Sequence, residues 1–169
     1  MDLRQVTEEQ LRQWNRWLAS SERQRMERYR DAREHLCGEG LIREMLAQKL
    51  GRAPEDIAIT RSDSGKPLTE GAFFSISHSG NVVLCAVSDL PVGVDIERLR
   101  PVPAHLSDRF GTQEPEEFFR LWTRMEARMK CVGGTIGRWR EFTEPHSDYR
   151  EEEIGVPKGY TAAVCEKIK

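Results

Sequence analysis

The stretch "PVGVDIERLR", residues 91–100, decides how the rest of the chain is read. Val92, Val94 and Ile96 alternate with Gly93, Asp95 and Glu97. An alternation of period two among β-branched residues predicts a strand, with Asp95 and Glu97 projecting from one face. Two carboxylates side by side on a largely apolar strand repel each other. Either their face meets water or something positive sits on it. The strand alone leaves both open.

The neighbouring stretches extend the pattern. "AFFSISHSG" (72–80) and "NVVLCAVSD" (81–89) each read as a strand, and Ser79-Gly80-Asn81 between them predicts a hairpin. Upstream, Thr7-Glu8-Glu9-Gln10 is a capping-box pattern, followed by Leu11, Trp14, Trp17 and Leu18 at helical spacing. This predicts a helix over 8–19. Ser20 or Ser21 can cap a second, Arg- and Glu-rich helix. A third, "DAREHLCGEGLIREMLAQKLG" (31–51), carries Leu36, Leu41, Met45, Leu46 and Leu50 on one broad face, and Gly51 is its C-cap. "APEDIAIT" (53–60) reads as a turn into a strand over 57–60, and "RSDSGKPL" (61–68) as a loop.

Downstream, Pro101 and Pro103 break regular structure. "PEEFFRLWTRMEARMKCVGG" (115–134) then reads as a helix: Pro115 suits its first turn, Glu116 and Glu117 its N-terminal dipole, and Gly133 and Gly134 its end. "GRWREFT" (137–143) and "GYTAAVCEKI" (159–168) read as closing strands, with the acidic "YREEEIGVPKG" (149–159) as a loop. The order helix, sheet, helix, sheet predicts an α+β fold.

At 169 residues and 38 % apolar content, the chain fits one compact domain or two small halves sharing a core. Its net charge of −2 provides no global field for nucleic acid or membrane. Arginines do cluster over 12–43, so a local basic helix face is expected. Cys37, Cys85, Cys131 and Cys165 are scattered without a CxxC or Cys/His cluster, which reads as free thiols and no zinc site. No apolar run approaches the roughly 20 residues of a membrane span. "MDLRQVTEEQ" has no apolar signal core. A soluble, cytoplasmic protein is expected.

Four stretches hold polar groups that a plain core would not choose: "GKP" (65–67), "SISHSG" (75–80), "VGVDIE" (92–97) and "WTRMEARMK" (122–130). Glu126 and Lys130, four apart, share a helix face and taken alone would be an ordinary ion pair. Ser77 and His78 could be satisfied by turn backbone, and Gly65-Lys66-Pro67 could be a plain turn. Taken together, Asp95, Glu97 and Glu126 supply three hard oxygen donors, a set that suits Mg²⁺ with phosphate oxygens as further ligands.

In this order the four stretches resemble the 4′-phosphopantetheinyl transferase superfamily, in its monomeric, two-halved type that serves peptide and polyketide synthetases. The resemblance runs from about Ser21 to the end. It implies a pseudo-dimer of two similar halves, residues 1–98 and 99–169, each a long helix on a small antiparallel sheet. It implies an enzyme that moves 4′-phosphopantetheine from coenzyme A to a serine of an acyl or peptidyl carrier protein and releases 3′,5′-ADP. Mg²⁺ would lie on Asp95, Glu97 and Glu126, with Asp95, Glu126 and Lys130 catalytic. Coenzyme A would be bound by Arg25, Arg61, Gly65, Lys66, Pro67, Ser77, His78 and Lys130. The departure is Met125, where the family usually has Lys. It motivates the alternative of a relative that binds coenzyme A or a carrier protein without efficient turnover.

Overall fold

The structure is a computed structural model describing residues 1–102 and 104–169, with the side chains of His105 and Arg109 outside the description. Pro103, the second of the two expected breakers, therefore lies outside the described residues. Three helices lead the chain: α1 (Glu8–Trp17), α2 (Ser20–Met26) and α3 (Ala32–Leu50). Thr7 caps α1 as its sequence predicts: its Oγ1 accepts the Gln10 N–H at 3.2 Å, and the Gln10 side chain accepts the Thr7 N–H at 2.9 Å. The N-cap of α2 is Ala19 rather than a serine, and Glu22 reaches back to the Ala19 N–H at 2.8 Å. Gly51 ends α3 in the left-handed conformation.

The short hairpin β1 (Thr60–Arg61) and β2 (Pro67–Leu68) carries the "GKP" stretch at its tip. The strand expected over 57–60 is confined to its last residue. Pro54–Asp56 forms a 3-10 turn, and Ile57 is spent as a core residue against Ile42, Leu46 and Phe74. β3 (Phe73–Ser79) and β4 (Val82–Ser88) make the predicted antiparallel hairpin. Its two-residue turn has Gly80 at φ 56°, the positive value a tight hairpin needs at that position. α3 packs beneath this hairpin.

β5 (Val92–Arg98) does not ladder with β3 or β4. It pairs antiparallel with β7 (Tyr160–Lys167), whose other edge holds β6 (Tyr149–Glu153). Between them run α4 (Ala104–Phe110) and α5 (Pro115–Val132). α5 lies on the face of β5 that carries Gly93, Asp95 and Glu97. Gly93 makes this possible: a Cβ there would stand 2.0 Å from the Ala127 carbonyl oxygen. The opposite face, with Ile96, packs on Val82 and Ala162.

Two expectations for the C-terminal region are corrected. "GRWREFT" lies in a 3-10 helix (Ile136–Phe142), which turns Phe142 onto Met125 and Met129 beneath α5. The acidic stretch read as a loop begins with β6. Two of its glutamates are met from α5: Arg128 holds Glu151 at 2.5 Å, and Arg120 and Arg124 approach Glu153 at 3.7 and 3.8 Å, while the strand's own Arg150 pairs with Glu166 of β7. An edge strand can carry charge in this way. The fold is α+β. Among the described residues no helix is long and apolar enough to cross a membrane, and the four cysteines are free.

Candidate active site

β3 and β5 lie side by side, joined by hydroxyl groups instead of a backbone ladder. Ser75, Ser77 and Ser79 repeat with period two, so all three side chains point at β5. Ser75 Oγ accepts the Val94 N–H at 3.1 Å, Ser77 Oγ that of Ile96 at 3.3 Å, and Ser79 Oγ that of Arg98 at 3.0 Å. Both residue series ascend together, so the strands run in the same direction. Two of these hydroxyls also donate to the carboxylates of β5: Ser77 to Asp95 Oδ1 at 2.7 Å and Ser79 to Glu97 Oε2 at 2.8 Å.

α5 closes this seam from above. Lys130 Nζ donates to Asp95 Oδ1 at 2.6 Å and to Ser77 Oγ at 3.0 Å, and stands 3.8 Å from Glu126 Oε2. Asp95 is buried, and its Oδ2 is enclosed with no hydrogen-bond partner. Burial pushes the Asp95 carboxyl up, against the pull of Lys130 and Ser77. Glu126 is pushed up to about 7, first by burial and then by the Asp95 charge. Glu97, at the open end of β5, also accepts from Arg100 at 2.7 Å, whose guanidinium covers the Phe119 ring. The face of β5 in question thus meets a cation, Lys130.

Among the described residues, no three acidic, histidine or cysteine side chains are gathered as they stand to hold a metal ion. The donor chemistry nevertheless fits Mg²⁺. Asp95 Oδ2 is a hard anionic oxygen without a partner, and Glu126 bears an electrostatic penalty that a cation would relieve.

The other expected ligands fall in two further places. His78 points from the opposite face of β3, toward α3. Its Nδ1 lies 3.0 Å from Glu34 Oε2, and its ring meets the edge of His35, which stacks on Tyr29. Arg25 and Arg61 converge on Glu39 at 3.5 and 3.8 Å, and Arg25 Nε is buried without a partner. Glu39 is itself held by the buried Arg43 at 2.7 Å, and Arg43 reaches on to Glu22 at 2.7 Å. Burial, then the His78 charge, pushes the His35 imidazole down, and Arg61 and Arg25 act in the same sense.

Lys66 takes a different position from that of a free phosphate-binding charge. Its Nζ donates to the carbonyls of Cys131 at 2.6 Å, Lys130 at 2.7 Å and Val92 at 3.3 Å. It therefore caps the C-terminal end of α5, where unpaired carbonyls and the helix dipole favour a cation. Gly65, at φ 84°, turns the loop, and Arg61 donates to its carbonyl at 2.8 Å. A cavity of about 230 Å³ opens here, lined by Gly65, Lys66, Pro67, Phe74, Ser75 and Lys130 among others.

Met125 is fully buried among Met129, Phe142, Phe110, Trp122 and Trp139. It turns away from the Asp95–Lys130 cluster and belongs to the core. Ser75, Ser79 and Glu39 complete the site's framework, and none of them is among the ligand or catalytic residues expected from the sequence. For the serines the signal was available in the period-two repeat of "SISHS". Glu39 offered none beyond its place among helix-forming residues.

The site thus sets clustered carboxylates against a lysine, beside a separate group of arginines and histidines. Comparisons with known proteins identify the chain's family. A sequence model described as "4′-phosphopantetheinyl transferase, N-terminal" matches residues 5–89. The chain is 34 % identical over 146 residues to the 4′-phosphopantetheinyl transferase psf-1 of Bacillus pumilus, covering 75 % of this chain and 63 % of that protein. It is 35 % identical over 118 residues to the 4′-phosphopantetheinyl transferase gsp of Aneurinibacillus migulanus, covering 62 % and 50 %. With the 4′-phosphopantetheinyl transferase HetI of a Nostoc species it shares 31 % over 160 residues, covering 80 % and 68 %. The chain belongs to the 4′-phosphopantetheinyl transferase family. Its matches span less than two thirds of the first two relatives' lengths.

Proposed function

We propose that the chain transfers 4′-phosphopantetheine from coenzyme A to a serine hydroxyl of an acyl or peptidyl carrier protein. The observation that carries this reading is the pairing of Glu126, a partly buried carboxyl pushed up to about 7, with Lys130 and Asp95 beside a hydroxyl-lined seam. Such a carboxyl, without metal, exchanges its proton near neutral pH, and a bound cation would favour its ionised, proton-accepting form.

The serine oxygen attacks the β-phosphorus of coenzyme A, and the bond from that phosphorus to 3′,5′-ADP breaks. Glu126 takes the serine proton. Lys130, now shared between Asp95 and Ser77, turns toward the pyrophosphate and gathers its negative charge. Asp95, Glu97 and Glu126 would hold Mg²⁺, which when bound neutralises phosphate oxygens and eases departure of the leaving group. Arg25, Arg61 and His78, with Ser77, would hold the remaining phosphates. Gly65 and Pro67 shape the loop beside them, while Lys66 fixes that loop to the end of α5.

The test is to incubate the protein with coenzyme A, Mg²⁺ and a panel of apo carrier proteins, then weigh the carriers. A mass gain of one phosphopantetheine is expected. Coenzyme A binding with no mass gain on any carrier would favour the alternative, a relative that binds without turnover.

A further inference from the structure

Each serine of the seam has one hydrogen and two lone pairs to place. A hydroxyl that already accepts a backbone N–H has its oxygen fixed, and its hydrogen must find an acceptor elsewhere. For Ser77 that acceptor is Asp95 Oδ1, which also receives Lys130, so both bonds end on one oxygen. Asp95 Oδ2 is left without a partner. Ser79 repeats the arrangement two residues on. It accepts from Arg98 and donates to Glu97 Oε2, the same oxygen that receives Arg100. The two carboxylates of β5 are therefore held alike, each gripped by one oxygen while the other is left over.

The two sites differ in what competes for the carboxylate. Asp95 is enclosed and cannot leave. Glu97 sits at the outer end of β5, its side chain 19 % exposed, with the half-exposed Arg100 three residues away. Without Ser79, Arg100 would be the remaining anchor of Glu97, and a flexible exposed ion pair fixes geometry poorly.

We propose that Ser79 is a positioning residue: its hydroxyl, pinned by the Arg98 N–H, holds Glu97 by Oε2 and leaves Oε1 free to share a ligand with Asp95. The inference rests on the transferase reading for its purpose, but its geometry stands apart from that reading. Partners that orient a metal-ligating carboxylate commonly change metal affinity 10- to 100-fold when removed.

The experiment compares Ser79→Ala and Ser79→Thr with the unmodified chain. Mn²⁺ binding in the presence of coenzyme A is read by electron paramagnetic resonance, alongside kcat and KM for coenzyme A. Ser79→Ala should weaken Mn²⁺ binding and lower kcat, each by about tenfold, with KM for coenzyme A changed less than about threefold. Ser79→Thr keeps the hydroxyl and should recover both. Thermal unfolding of each variant identifies any loss that comes from misfolding, and Ser79→Thr then carries the comparison. Wild-type Mn²⁺ binding by Ser79→Ala would overturn the proposal. So would a Ser79→Thr variant that folds and yet is as impaired as Ser79→Ala, and so would failure of the unmodified chain to bind Mn²⁺ at all. If Mn²⁺ binding falls as expected in Ser79→Ala while no carrier is ever modified, the transferase reading fails and the role of Ser79 stands.

Discussion

Replacing Glu126 by Gln should change how the stability of the metal-free protein depends on pH. The Glu126 carboxyl is pushed from 4.5 up to about 7 in the folded chain, by burial and by the charges of Asp95 and Glu97, with Lys130 opposing. Between these two values the folded state holds a proton that the unfolded chain has released. Stability therefore falls as pH rises from about 4.5 to 7 and levels off above. At about 1.4 kcal/mol per pH unit of displacement, the loss is about 3 kcal/mol. Gln cannot ionise and avoids it. His35, pushed down by burial, works the other way, losing stability as pH falls below its ordinary 6.5. Asp95, pushed up like Glu126, adds to the fall with rising pH. His35 is common to both proteins and cancels, so the difference between them reports Glu126 together with its interaction with Asp95. Urea unfolding in EDTA, from pH 5 to pH 8, should show the unmodified chain losing about 2.5 kcal/mol relative to Glu126→Gln, since part of the loss already falls below pH 5. Parallel curves would refute the picture of Glu126 as a partly buried carboxyl in the field of its neighbours. Adding Mg²⁺ at pH 8 should restore stability to the unmodified chain far more than to the variant.

Asp95→Ala should abolish carrier modification, as read by carrier mass, with a melting curve that remains cooperative. Retained activity would remove Asp95 from the reaction. Met125→Lys would place an ammonium in a closed apolar cluster and should cost on the order of 3 kcal/mol or more by urea unfolding, whereas Met125→Leu should cost less than about 1.5. Gly93→Ala puts a methyl group 2.0 Å from the Ala127 carbonyl. It should lift α5 from β5, lowering the melting temperature and the transfer rate together, and a variant with unchanged values would contradict the close packing.

The helices and the β3–β4 hairpin were legible because local chemistry fixes them: the Thr7 box, Gly51, Gly80 and Pro115 all act over a few residues. The partner of "VGVDIE" was not legible. Sequence order sets β5 next to the strands before it, while its ladder comes from β7, more than 60 residues later. Acidic β6 was missed because the arginines that meet its glutamates come from α5, so its composition alone reads as solvent-exposed loop. At the site, the period-two rule put Asp95 and Glu97 on one face, and helical spacing put Glu126 with Lys130. The resemblance added that they meet. What neither could supply was the position of Lys66. Its type and loop suggest a phosphate contact, yet the carbonyls at the end of α5 compete for the same charge and hold it.

The seam between β3 and β5 also divides the backbone hydrogen bonding of the molecule. Among the described residues, no backbone-to-backbone hydrogen bond joins residues 1–88 to residues 91–169; the crossing bonds use side chains, such as the three serines, Lys66, Ser88 and Tyr160. The two sets of ladders are thus independent of each other, and the candidate chemistry lies on the line where they meet.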